Sequence, residues 1–313
     1  VPGSILSTVG NTPLVPLRSF PRKGAPVWVK CEHLNPGGSI KDRIAVSIVQ
    51  DARARGVLEP EATLIEATAG NTGVGLAMVA AHYGYELVCV MPEKMSVDKR
   101  RALVAMGAGV IVTPNAPHDD PNNFQNVARK LAKERGWFLT DQFENVANIA
   151  AHEHGTGPEI LAQTEWRVAA FVAGAGTGGT LTGVGRSFRA AGCKAKIVLA
   201  DPIGSSLAHW VRTGELGEDA PYEVEGIGSS KPPKNLDREV IDAAEQISDE
   251  ESFATARQLI AEEGLYVGGS AGTAVAAALR VAEQLGGDDP VVAVLPDAMD
   301  RYWSQPWLSE AGT

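Results

Sequence analysis

Short apolar runs alternate with longer stretches of helical periodicity along most of the chain. "TLIEAT" (63–68) precedes the alanine-rich "VGLAMVAAHYG", and "ELVCVMP" (86–92) precedes "SVDKRRALVAMGA". "GVIVTP" (109–114) gives way to "FQNVARKLAKERG", with "WFLTDQ" behind it. A second series begins at "VAAFVAGAG" (168–176) and continues through "KAKIVLAD", "GLYVGGSAG" and "VVAVLPD". Such alternation predicts βαβ units, hence parallel sheets wrapped by helices. The two series meet near Glu144–His154 without a low-complexity linker, so two α/β lobes on one chain are expected.

Open α/β sheets collect ligands where strand ends meet helix N-termini. Four such loops stand out. In "NPGGSIKDRIAVSIVQDARARG" (35–56), Ile40, Ile44, Ile48 and Ala52 recur at helical spacing, which predicts a helix starting near Ser39. Ser39 and Asp42 form an S-x-x-D capping box. Lys41 then lies in the first turn, where the positive end of the helix dipole disfavours the ammonium and lowers its pKa. That suits a Schiff-base amine; a solvated lysine offset by Asp42 is the plainer alternative. The second loop, "ATAGNTGVG" (67–75), offers backbone N–H groups to a carboxylate or phosphate. An ordinary capped turn accounts for it equally well.

The third loop, "FVAGAGTGGTLTGVG" (171–185), reads as G-x-G-x-x-G through Gly174, Gly176 and Gly179. Asp201 follows roughly 20 residues later, as a ribose-binding acid would. Taken alone, the loop favours NAD and a dehydrogenase. Its physics requires only a phosphate on backbone amides, and the hydroxyls of "GTGGT" suit a terminal phosphomonoester as well. The fourth loop, "GGSAG" (268–272), matches G-x-S-x-G with a strand expected before it and a helix after. A hydrolase of that type needs a histidine downstream of Ser270, and the last one is His209, so this reading fails. Ser270 is then a polar contact to a ligand ring or a helix N-cap.

Metal binding has no support: His152 and His154 are two apart, no H-E-x-x-H or paired-cysteine spacing occurs, and both are expected to be solvated or packed. The 313 residues are 44% hydrophobic and 21% charged, the composition of a globular protein. A net charge of −10 argues against nucleic acid or anionic membrane as partner. No apolar run approaches the roughly 18 residues of a membrane span. The N-terminus lacks the pattern of a signal peptide. Cys31, Cys89 and Cys193 have no paired spacing, with Cys89 read as a core thiol, so a cytoplasmic location is expected.

Together the four loops fall in collinear order with "TVGNTPLVPL" (8–17), "MPEKMS", "DQFENVAN", "VEGIG" and "LPD". In this the chain resembles the pyridoxal-phosphate β-replacement enzymes of the cysteine synthase and cystathionine β-synthase type. "MPEKMS", "DPIGS" and "GGSAG" lean toward the cystathionine β-synthase branch. The resemblance implies the α/β two-domain fold type II (tryptophan synthase β-like). Residues 1–35 with 146–313 would form a large pyridoxal-phosphate-binding domain, and 36–145 a smaller, mobile one.

It also implies roles. Lys41 would carry the cofactor as a Schiff base, Asn71 would bond the ring hydroxyl, and Gly176, Thr177, Gly178, Gly179 and Thr180 would cup the phosphate. Ser270 would face the pyridine nitrogen, a neutral partner that favours elimination over transamination. Thr68, Gly70 and Thr72, with Gln142, would hold the donor's α-carboxylate, and Ala69 and Gly226 would line the substrate site. Lys41 would act as base at Cα, the cofactor would delocalise the carbanion, and a thiol would add to an aminoacrylate.

The implied reaction joins serine or O-acetylserine to homocysteine, giving cystathionine, or to sulfide, giving cysteine, in a homodimer. Control by a haem-binding extension or a C-terminal regulatory module is not expected. Two positions depart from the family's pattern: Ala69, where a serine is frequent, and Lys231 in "SSKPP", where an aromatic commonly precedes a proline. Lys231 suits a carboxylate-bearing acceptor or faces water. A dehydratase, a diaminopropionate-type synthase and a catalytically silent homologue are the rivals besides the NAD enzyme.

Overall fold

The structure, a computed structural model, describes residues 3–68 and 70–309. In chain order its strands are β1 (Leu14–Pro16), β2 (Val27–Lys30), β3 (Thr63–Ala67), β4 (Glu86–Pro92), β5 (Gly109–Thr113), β6 (Phe138–Leu139), β7 (Ala170–Ala173), β8 (Lys196–Pro202), β9 (Ala243–Ile247) and β10 (Val291–Val294). The α-helices are α1 (Lys41–Ala54), α2 (Asn71–Tyr83), α3 (Val97–Ala105), α4 (Phe124–Arg135), α5 (Val146–Ala151), α6 (Gly157–Gln163), α7 (Gly179–Ala190), α8 (Leu207–Thr213), α9 (Asp249–Glu263), α10 (Gly269–Leu285) and α11 (Pro306–Ser309). A π-turn, His152–Thr156, separates α5 from α6.

Asn35–Asn148, with the segment leading up to Val9, makes one compact unit; Gly10–Leu34 and the chain from Ile149 make the other. In the first unit the strands run in the order β5-β4-β3-β6, all parallel. Leu64, Ile65, Glu66 and Ala67 of β3 are all buried, as expected of a parallel strand covered on both faces. Ile44, Ile48 and Ala52 turn α1 inward, and Ile40 just before it is also buried. Gly75 sets the spacing of α1 and α2: a Cβ there would lie 3.0 Å from the Ala45 Cβ and 3.1 Å from the Lys41 carbonyl oxygen. The first turns of the two helices therefore lie side by side.

In the second unit six strands run β1-β2-β10-β7-β8-β9, parallel except for the antiparallel β1–β2 pair. Ala271, Ala274, Val275, Ala277, Ala278 and Val281 of α10 are buried in one cluster with β10, β7 and β2. Lys30 at the end of β2 is wholly buried. Its Nζ bonds Glu159 at 2.6 Å, the Thr12 carbonyl at 2.7 Å and Gln163 Oε1 at 2.9 Å.

Several expectations needed correction. The α1 helix starts at Lys41 with Ile40 as N-cap, and no reciprocal capping box forms. The Ser39 hydroxyl accepts the Lys41 N–H at 3.2 Å, while Asp42 Oδ2 takes the Gly37 N–H at 2.6 Å, because the glycine turn folds back over that carboxylate. No strand precedes Ser270; Val267 makes one antiparallel bridge to Ala298, and the Leu265 and Gly268 N–H groups bond Leu259 and Asp297. The segment before Gly10 groups with Asn35–Asn148, not with the larger unit, because Leu6 joins the apolar cluster of Leu58, Leu76 and Tyr85. The edge strands β1 and β9 and strand β2 carry weaker apolar patterns and were not expected. Among the described residues no helix is long and apolar enough to cross a membrane, and no group of three or more His, Cys, Asp or Glu is placed to hold a metal.

Candidate active site

The expected site residues fall into two groups, one in each unit. In the first unit, Lys41 opens α1 and Asn71 opens α2, both half-buried. Thr68, Gly70, Thr72 and Gln142 are buried around the α2 start. The Gly70 N–H donates to the Thr68 hydroxyl at 3.0 Å, and the Thr72 hydroxyl donates to Gln142 Oε1 at 2.6 Å. Gln142 Nε2 donates in turn to the Ala67 carbonyl at 2.9 Å and to Glu66 Oε1 at 3.3 Å. Ala69 lies outside the described residues. The N-cap of α2 is Gly70 and its first turn carries no acid, so the positive end of its dipole suits an anion.

In the second unit the chain leaves β7 through residues 174–178 and enters α7 with Gly178 as N-cap. Gly178 has φ of +86°, and a Cβ there would lie 2.6 Å from the Leu236 backbone nitrogen. A Cβ on Gly176 would lie 2.3 Å from the Gly226 carbonyl oxygen, so neither position tolerates a side chain. Again the N-cap is a glycine and no acid sits in the first turn. Thr177 is buried, and the half-buried Thr180 places its hydroxyl 3.3 Å from His152 Nε2. Backbone donors at a helix start, two hydroxyls and a cradle without room for a Cβ fit a phosphate group.

Gly226 is exposed with φ of +86°, on a turn anchored by the Gly228 N–H to the Ala175 carbonyl at 2.9 Å. Ser270 is the second residue of α10 and buried. The N-cap of α10 is Gly268, which corrects the alternative of Ser270 as cap. Gly268 donates to the Asp297 carbonyl at 3.1 Å, and the Tyr302 hydroxyl donates to Asp297 Oδ2 at 2.6 Å, fixing the turn that carries Ser270. Lys231 is exposed.

The dinucleotide reading does not survive. Asp201 is fully buried at the end of β8, with Oδ2 taking the Ala208 N–H at 2.7 Å. Burial pushes this carboxyl up to about 6, and it is not presented to a ribose. Cys89 is a core thiol as expected, pushed up to about 12 chiefly by burial.

Two neighbours of the expected site residues were missed. His152 is packed, with Nδ1 2.9 Å from the Thr156 hydroxyl and Nε2 facing Thr180; only the π-turn brings it there, and the sequence carries no sign of it. Glu66 is buried beneath Gln142, and burial, opposed by hydrogen bonds from Thr140 and Gln142, pushes its carboxyl up to about 7. Its signal was visible: a lone carboxylate inside the apolar run "TLIEAT".

The family profile described as "Pyridoxal-phosphate dependent enzyme" matches residues 5–297. The chain is 44% identical to cystathionine beta-synthase of Apis mellifera over 98% of its own length and 62% of that protein's. It spans 56–64% of the length of the cystathionine beta-synthases it matches. It is 42% identical to O-ureido-L-serine synthase of Streptomyces lavendulae, covering 96% of this chain and 91% of that one. A crystal structure of O-ureido-L-serine synthase superposes with a TM-score of 0.92 at 39% identity, over 100% of this chain and 96% of that one. The acid-free helix starts, the glycine cradle and these matches agree: the chain belongs to the pyridoxal-phosphate-dependent enzymes of fold type II.

Proposed function

We propose that this enzyme replaces the β-substituent of a serine-type amino acid, serine or O-acetylserine, with a thiol. Homocysteine, giving cystathionine, is the leading acceptor, and sulfide, giving cysteine, the alternative. The observation that carries this reading is the acid-free start of α2, where Thr68, Gly70, Thr72 and Gln142 surround backbone donors suited to an α-carboxylate. The similarity to cystathionine beta-synthases supports the choice of acceptor.

Pyridoxal phosphate, when bound, supplies the electron sink for breaking the Cα–H bond. The residues of this chain do the rest. Gly176, Thr177, Gly178, Gly179 and Thr180 would hold the phosphate, and Asn71 would hold the ring hydroxyl. Lys41 binds the cofactor, then takes the Cα proton and later returns it. Ser270 would offer the ring nitrogen a neutral hydroxyl in place of an acid, a partner that would favour loss of the β-substituent. Gly226 borders the acceptor. The free cysteines Cys31, Cys89 and Cys193 suit a cytoplasmic setting, and a homodimer goes with the same reading.

A second reading is favoured by the relative whose whole length is nearly matched: an O-linked product of the O-ureido-L-serine type, for which the acceptor is hydroxyurea. Steady-state assays crossing serine and O-acetylserine with homocysteine, sulfide and hydroxyurea, scored by kcat/KM, decide among these. Turnover with homocysteine at the highest kcat/KM is expected. No turnover with any pair overturns the reading.

A further inference from the structure

Glu66 has no part in the chemistry above, yet it lies at the centre of the α2 loop network. It is 1% exposed, between Ile65 and Ala67 on β3, a strand with neighbours on both sides. A carboxyl buried in a sheet is costly unless its oxygens are bonded. Here Thr140 and Gln142 bond them: Oε2 accepts the Gln142 backbone N–H at 3.1 Å, and Oε1 accepts Gln142 Nε2 at 3.3 Å. Thr140 contributes its hydroxyl to Oε2.

These bonds determine which way the Gln142 amide faces. With Glu66 Oε1 and the Ala67 carbonyl both accepting from Nε2, the amide oxygen turns to Thr72 and takes its hydroxyl proton. With the amide reversed, Gln142 would donate to Thr72, and the Thr72 proton would point elsewhere. Glu66 and the Ala67 carbonyl together thus select the hydrogen-bonding role of a hydroxyl on the first turn of α2.

We propose that Glu66 is a positioning residue for the donor amino acid, orienting the Gln142 amide and through it the Thr72 hydroxyl at the loop that takes the α-carboxylate. This rests on the proposed donor class. Glu66 touches neither cofactor nor substrate, so its effect appears in donor binding and not in the chemical step.

The test uses the cofactor-loaded enzyme. Glu66→Gln keeps the shape but sets an NH2 where an acceptor stood; Glu66→Asp keeps the charge and retracts it by one methylene. Expected for Glu66→Gln is a rise of fivefold or more in the KM for serine or O-acetylserine, with kcat within twofold. Acceptor KM and the resting cofactor absorbance should stay unchanged, and Glu66→Asp should fall between the two. A cofactor-loaded Glu66→Gln with wild-type donor KM overturns the inference, as does a parallel loss of kcat, cofactor content and donor affinity. Should Glu66→Gln not fold, the donor KM of Glu66→Asp decides by the same criteria. A wild-type enzyme that responds to neither donor overturns the donor reading itself, and this inference with it.

Discussion

The Thr72 hydroxyl donates to Gln142 Oε1 across 2.6 Å, joining two buried side chains 70 residues apart. One belongs to the first turn of α2, the other to the segment beyond β6. Thr72→Val keeps the shape and removes the hydroxyl. The loss of about 1 kcal/mol expected for one such bond corresponds to a donor KM roughly fivefold higher. The same substitution in a Gln142→Ala background should add little, and steady-state kinetics of the four proteins measure that coupling.

Lys41 stands at the start of α1 with its neighbours Asp42 and Arg43 buried, so the backbone there is held independently of the lysine amine. Lys41→Ala should leave the thermal midpoint of the cofactor-free protein within a few degrees of wild type. It should abolish the visible absorbance of the lysine-bound cofactor and lower kcat by about a thousandfold or more. Absorbance spectra and single-turnover assays check both halves.

Gly178 combines a left-handed backbone with a wall formed by Leu236. Gly178→Ala must relieve both the conformational strain and a 2.6 Å approach, which costs about 1–3 kcal/mol. Cofactor content after dialysis should fall together with the thermal midpoint. Gly192, which has a similar φ of +71° but nothing within 4 Å of a Cβ, is the control: alanine there should cost stability alone.

Burial pushes Glu66 up to about 7 and Asp201 up to about 6. In the unfolded chain both titrate near their ordinary values of about 4. Between those limits the folded protein holds more protons than the unfolded chain, so stability falls as pH rises. This contribution is fully present below pH about 4 and lost as pH climbs through about 7. Removing the Glu66 titration in Glu66→Gln should therefore flatten the decline in thermal midpoint between pH 5 and pH 8. Calorimetry of the two proteins at matched ionic strength measures it.

Local pattern carried much of the fold. Ile40, Ile44, Ile48 and Ala52 marked α1 because residues three and four apart share a helix face, and all four are buried. The runs at β3, β4, β7, β8 and β10 were legible because strands covered on both faces are apolar at nearly every position, and β5, although an edge strand, keeps the apolar run of Val110, Ile111 and Val112. Strands β1 and β9 sit at sheet edges, and the short β2 carries a buried lysine, so none shows that uninterrupted pattern. The glycine-rich loop before α7 was legible too, although its glycines taken alone favoured NAD.

By itself, then, the sequence determined the alternation of the apolar strands with helices, the glycine loops and the residue types available for chemistry, because each depends on neighbours within a few positions. Tertiary structure alone decided the rest. It buried Asp201 away from any ribose, carried Leu6 to an apolar cluster, set His152 against Thr180, and stacked Glu66, Gln142 and Thr72 into one network. Those pairings join residues tens of positions apart, and only the order of strands and the packing of helices against them brings such groups within hydrogen-bond reach.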